Sequence, residues 1–144
     1  MTENIKAKVL QNSVIVSGHP RSGTSITCQL VESAGVHFPS DYEGDEYNVS
    51  GYYELEISKD LSKKLIEKAM TIKNTIKMNQ VIEKLNENEG LSGLKLVRVP
   101  AIFFYRHVAQ NLKAVFIFRN PADVKASMLR RGISSFAPDW FTNN

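Results

Sequence analysis

A chain that reads Val14-Ile15-Val16-Ser17-Gly18-His19-Pro20-Arg21-Ser22-Gly23-Thr24-Ser25-Ile26-Thr27-Cys28 near its start has few ways to fold. The apolar run Val14–Val16 predicts a buried strand over Ser13–Ser17, broken at Gly18. Pro20 and Gly23 make a turn. Ile26, Leu30 and Ala34 then recur four apart, which predicts a helix from Ser22 to about Ala34 with Gly35 as its C-cap. A strand, a glycine-rich turn and a helix start, in that order, form an anion cradle. Backbone N–H groups converge there, and the helix N-terminus adds partial positive charge.

The spacing Gly18-x-x-x-x-Gly23 is that of a nucleotide P-loop, but Thr24, followed by Ser25, stands where that motif carries lysine. The charged residue of this loop is instead Arg21. The rest of the composition fits an anionic ligand without demanding a nucleic acid. The chain has 144 residues, a net charge of +3, and scattered basic residues with no arginine-rich run. One cysteine, Cys28, excludes an internal disulfide and a cysteine-based metal site. Residues 1–12 read as a charged lead-in with no apolar stretch, hence no signal peptide, and no run approaches a membrane span. A reducing cytoplasm is the default location.

The chain then reads as one domain, 1–144, of alternating strands and helices. His37–Tyr53 is a polar loop near the mouth of the cradle. Glu54–Met70 and Lys73–Asn86 read as helices, Leu94–Val99 as a strand stopped by Pro100, and Ala101–Leu112 as a helix. Ala114–Phe118 is apolar throughout, as expected of a central parallel strand covered on both faces. Asn120 caps a helix that opens on Pro121 and runs to about Arg131, ended by Gly132. Residues 133–144 form a short tail carrying Phe136, Trp140 and Phe141. The alternation predicts an α/β layer fold with a mostly parallel sheet, whose ligand edge holds the turns at 18–25 and 119–123.

Arg119 emerges at that edge, and Ser127 lies two helical turns further on. A forked guanidinium and a hydroxyl suit a phosphate, so the edge offers two anion-binding elements. The pair G-H-P-R-S-G-T-S (18–25) and F-R-N-P-A-D-V-K-A-S (118–127) resembles the two cofactor motifs of the sulfotransferase family. Gly51-Tyr52-Tyr53-Glu54 resembles the G-[FY]-[FY]-E segment of its bacterial and carbohydrate-directed members.

That resemblance implies a three-layer, P-loop NTPase-like sandwich with a short, mostly parallel central sheet. It implies 3′-phosphoadenosine-5′-phosphosulfate (PAPS) as sulfuryl donor, no metal, and a hydroxyl or amine acceptor, small-molecule or carbohydrate. Gly18, His19, Pro20, Arg21, Ser22, Gly23, Thr24 and Ser25 would form the 5′-phosphosulfate loop, with Arg21 also catalytic. Arg119 and Ser127 would hold the 3′-phosphate. His19 has a plainer reading as a solvent-facing loop residue, and Cys28 reads as a small core residue.

Many cytosolic members carry a histidine shortly before a proline on the second strand. Here that stretch is Val97-Arg98-Val99-Pro100, with no histidine. Other branches use a glutamate from the acidic segment after the first helix, and the resemblance implies Glu54 as first candidate for the general base and Glu43 as second. Glu54 also reads as a helix-start carboxylate complementing the macrodipole. The family usually continues beyond the 3′-phosphate helix. A chain ending at Asn144 is then a fragment, a member completed by homodimerisation, or a binder that no longer catalyses. A nucleotide kinase or NTPase is the other alternative, disfavoured by Thr24 in place of lysine.

Overall fold

The computed structural model describes residues 5–41 and 53–132. Glu43, Gly51, Tyr52 and the tail with Phe136, Trp140 and Phe141 lie outside the described residues.

Strand β1 (Ser13–Gly18) is the centre of a three-stranded sheet. It pairs in parallel with β2 (Ser92–Leu96) on one side and β3 (Leu112–Ile117) on the other. Alternation along β1 sends its side chains into two separate cores. Val14 and Val16 pack with Cys28 of helix α1 (Thr24–Ser33), and with Val36, Phe38 and Tyr53. Ile15 points the other way. It meets Leu61 and Leu65 of α2 (Glu56–Lys68), Met78, Val81 and Ile82 of α3 (Ile72–Asn86), and Tyr105 of α4 (Ile102–Val108). Helices therefore cover the sheet on both faces, the expected three-layer α/β arrangement. The last element, α5 (Pro121–Arg130), begins as its sequence predicts: Asn120 Oδ1 accepts from the Ala122 amide at 2.9 Å, with Pro121 in the first turn.

Two expectations need correction. The apolar run after α4 is not a central strand. Among the described residues β3 is an edge strand paired only to β1, and Ala114 and Phe116 on it are exposed. An apolar run signals two-sided burial only where other elements cover both faces of the strand, and Ala114 and Phe116 are left uncovered among the described residues. The Ile26–Leu30 face of α1 also points outward, at 63% and 66% exposure, while Thr24 and Cys28 point into the fold. The charged lead-in is part of the fold from residue 6 onward. Asn79 and Asn86 of α3 bond to the backbone of Lys6, Lys8, Val9 and Gln11, and Leu10 is fully buried.

The register places the site. Gly18 of β1 pairs with Ile117 of β3, so the turns after both strands leave the sheet at the same carboxyl edge. Ser17 Oγ donates to the Leu96 carbonyl at 2.7 Å and ties the end of β2 to that edge.

Candidate functional site

The loop from Gly18 to Gly23 is built by backbone requirements. A Cβ on Gly18 would sit 2.8 Å from the Ile117 carbonyl oxygen, so only glycine lets β1 and β3 stay paired to the last residue. Arg21 and Gly23 both hold positive φ, 67° and 97°. That is a natural conformation for glycine and a strained one for arginine, and such strain is found mostly at functional positions. Ser22 closes the turn, with its amide and its hydroxyl both donating to the His19 carbonyl. Gly23, at the N-cap of α1, has no side chain to cap the helix, so the first-turn amides carry their donor capacity toward the loop.

The two turns are locked together. Arg119 donates from a guanidinium nitrogen to the Arg21 carbonyl at 2.8 Å. Arg21 Nε in turn donates to Ser127 Oγ on α5 at 3.0 Å. The sequence reading assigns Arg21 to one anion and Arg119 with Ser127 to another. In the structure Arg21 touches both of the other two. Ser127 is buried, whereas Arg119 is exposed at the rim.

A cavity of about 290 Å³ opens against this loop. Its wall includes Thr24 and Ser25 from α1 and five cationic side chains, Arg21, Lys59, Lys95, Arg119 and Arg131. Among the described residues Glu54 is its one carboxylate. Glu54 lies two residues before α2, whose first-turn acidic residue is Glu56. Its backbone carbonyl accepts from the Asp41 amide at 2.9 Å, and Asp41 Oδ2 accepts from the Glu56 amide at 2.9 Å. The carboxylate, 13% exposed, faces Lys95 Nζ at 3.2 Å and Lys59 Nζ at 3.9 Å.

Lys95 joins the site without belonging to either anion-binding motif. It sits on β2 opposite Val16, its side chain only 4% exposed, with Nζ donating to Ser25 Oγ at 3.0 Å. Burial pulls its pKa below the usual lysine value, and the Glu54 carboxylate pulls back. A signal was present in Ser92-Gly93-Leu94-Lys95-Leu96: a lone cation inside an apolar strand needs a partner.

His19 corrects its own expectation. It is 5% exposed, not solvent-facing. Its Nδ1 donates to the Pro20 carbonyl at 2.8 Å, and burial lowers its pKa more than that bond raises it. Cys28 is a core residue as expected, its thiol pushed up to about 12 by burial. No cluster of His, Cys, Asp and Glu able to hold a metal occurs among the described residues, and none of their helices is long and apolar enough to cross a membrane.

The family model of the sulfotransferase domain matches residues 11–136 of the chain. The chain belongs to the sulfotransferase family. No curated protein and no solved structure matches it significantly. The match takes in the β1–α1 loop, the second strand and the Arg119–Ser127 turn of this sulfotransferase domain, so the cradle and its cross-linked arginines lie in the part that defines the family. Membership supports sulfotransferase activity in general.

Proposed function

We propose that this domain transfers a sulfuryl group from PAPS to a hydroxyl or amine acceptor. The observation that carries the reading is the Arg119–Arg21–Ser127 chain of hydrogen bonds at the edge of a cavity that the described residues line with five cations and one carboxylate. The residues present fit a ligand with two separated anionic groups. The loop offers backbone amides and the Thr24 and Ser25 hydroxyls, the Ser22 hydroxyl being spent on the His19 carbonyl, and Arg119 extends the charge toward α5.

PAPS would supply an activated sulfuryl group whose bond to a phosphate oxygen breaks as a bond to the acceptor forms. Arg21 would neutralise charge building on that oxygen, which is stabilisation by a preplaced donor. Ser127 Oγ accepts from Arg21 Nε, which fixes the guanidinium and leaves the serine's own proton to donate. Glu54 would take the proton of the acceptor O–H or N–H, being the carboxylate that faces the cavity. The family-level reading does not name the acceptor, and a carbohydrate or small-molecule alcohol or amine fits this chemistry.

Calorimetric titration tests the donor assignment. Adenosine 3′,5′-bisphosphate should bind the wild type and bind Arg119→Ala about tenfold or more weakly, the loss of one charged hydrogen bond of roughly 1.5–3 kcal/mol. Binding of Mg-ATP in its place would move the assignment to a nucleotide kinase or NTPase.

A further inference from the structure

We propose that Lys95 is a positioning residue of the transfer site, whose ammonium holds the Ser25 hydroxyl and the Glu54 carboxylate in the orientations from which each meets the ligand. The inference rests on the sulfotransferase reading above and adds a residue to it.

The first ground is placement. In the parallel register Lys95 stands beside Val16, so its side chain rises on the α1 face of the sheet, beneath the start of that helix. At 4% exposure it is a floor residue, with little surface to offer a ligand directly. Its reach is through others, because its two partners, Ser25 and Glu54, both line the cavity.

The second ground is cost. A buried ammonium loses hydration, and one beneath a helix N-terminus also faces the positive end of the macrodipole. Arg21 adds further like charge. A leucine or methionine would fill the same volume between strand and helix without either penalty. A cation at this point therefore has to be explained by what it holds.

The third ground is hydrogen-bond direction. An ammonium has three donors and no acceptor. Lys95 gives one to Ser25 Oγ, so that oxygen is the acceptor of the pair and its own hydrogen turns away from Lys95. Ser25 follows Thr24 in the first turn of α1, where an anion in the cradle would lie. The serine is thereby set to donate to the ligand. A second donor goes to Glu54 Oε1, which pins the carboxylate beside the same cradle. Lys95 thus fixes the distance between the element that would hold the donor anion and the group that would take the acceptor proton.

Titration calorimetry with adenosine 3′,5′-bisphosphate on the wild type, Lys95→Met, Lys95→Arg, Ser25→Ala and the Lys95→Met/Ser25→Ala pair tests this. Lys95→Met should weaken binding about tenfold, and Lys95→Arg should recover most of the loss. The double variant should be no weaker than the poorer single, because Lys95 acts on this ligand through Ser25. Binding by Lys95→Met within twofold of wild type, or losses that multiply in the double variant, overturns the proposal. If Lys95→Met fails to fold, Lys95→Met/Glu54→Gln, which leaves no lone carboxylate, takes its place under the same criteria. A wild type that ignores the bisphosphate but binds inorganic sulfate in a Lys95-dependent way refutes the PAPS reading and sustains the inference. If neither ligand binds, both fall.

Discussion

Arg21 Nε donates to Ser127 Oγ at 3.0 Å, and this one bond joins the first loop of the fold to its last described helix. It makes the guanidinium part of both anion-binding elements. Arg21→Ala should therefore lower kcat by about 10²–10³, the cost of removing a preplaced donor to developing charge. Arg21→Lys should recover only part, since a lysine brings charge without the fork that reaches Ser127. Sulfuryl-transfer kinetics on both variants, with bisphosphate affinity measured alongside, check this. Equal turnover in all three proteins would remove Arg21 from the chemistry.

Gly18 should tolerate no side chain. A methyl group there would press on the Ile117 carbonyl at 2.8 Å and on Ser22 Oγ at 3.0 Å. Gly18→Ala should cost about 1–3 kcal/mol, as overpacking does, and should loosen the loop at the same time. Thermal melting would register the first effect and bisphosphate titration the second. An unchanged melting temperature would mean that β1 and β3 part easily at this end.

Acid should destabilise the fold through His19. Its folded pKa lies below the ordinary value, chiefly because it is buried. As pH falls past about 6.5 the unfolded chain takes up a proton that the folded chain resists, so stability drops until the folded pKa is passed. Above that window the neutral ring contributes fully. His19→Gln should flatten this part of the stability–pH curve, as followed by chemical denaturation between pH 7 and pH 5. A slope equal to that of wild type would assign it to other groups.

The Lys95–Glu54 pair should prove dispensable for stability. Replacing both with apolar residues, Lys95→Met with Glu54→Leu, should leave the fold as stable as wild type or more so, because dehydration offsets the attraction of a buried pair. The same double variant should transfer no sulfuryl group. A large fall in melting temperature would show instead that the pair holds β2 to the start of α2.

Much of this was legible in the chain. The β1–loop–α1 unit follows from glycine, proline and apolar spacing, all local signals, and the capping at Asn120 and Pro121 is equally local. What failed was whatever depends on partners distant in sequence. Phe116 is as apolar as any core residue, yet it lies exposed on an edge strand. Ile26 and Leu30 have helical spacing, but the loop geometry turns that face outward and sends Thr24 and Cys28 in. A lone lysine in an apolar strand signals a partner, but which one is not legible for Lys95, because Ser25 and Glu54 lie far from it in sequence and meet it only in the fold. Glu54 stands out in the sequence as a candidate base, but its place between Lys59 and Lys95 comes only from the fold.

The cavity wall has one further consequence. Among the described residues, five cations crowd a space of about 290 Å³ with a single carboxylate among them. Like charges so close repel one another, and that repulsion weighs on the folded chain more than on the unfolded one. Any anion that enters acts as a counter-ion as well as a ligand, so occupancy and folding draw on the same free energy. Melting temperature thereby becomes a sensor for what this pocket accepts. Sulfate, pyrophosphate and adenosine bisphosphate can be ranked by how far each raises it, before any acceptor is known.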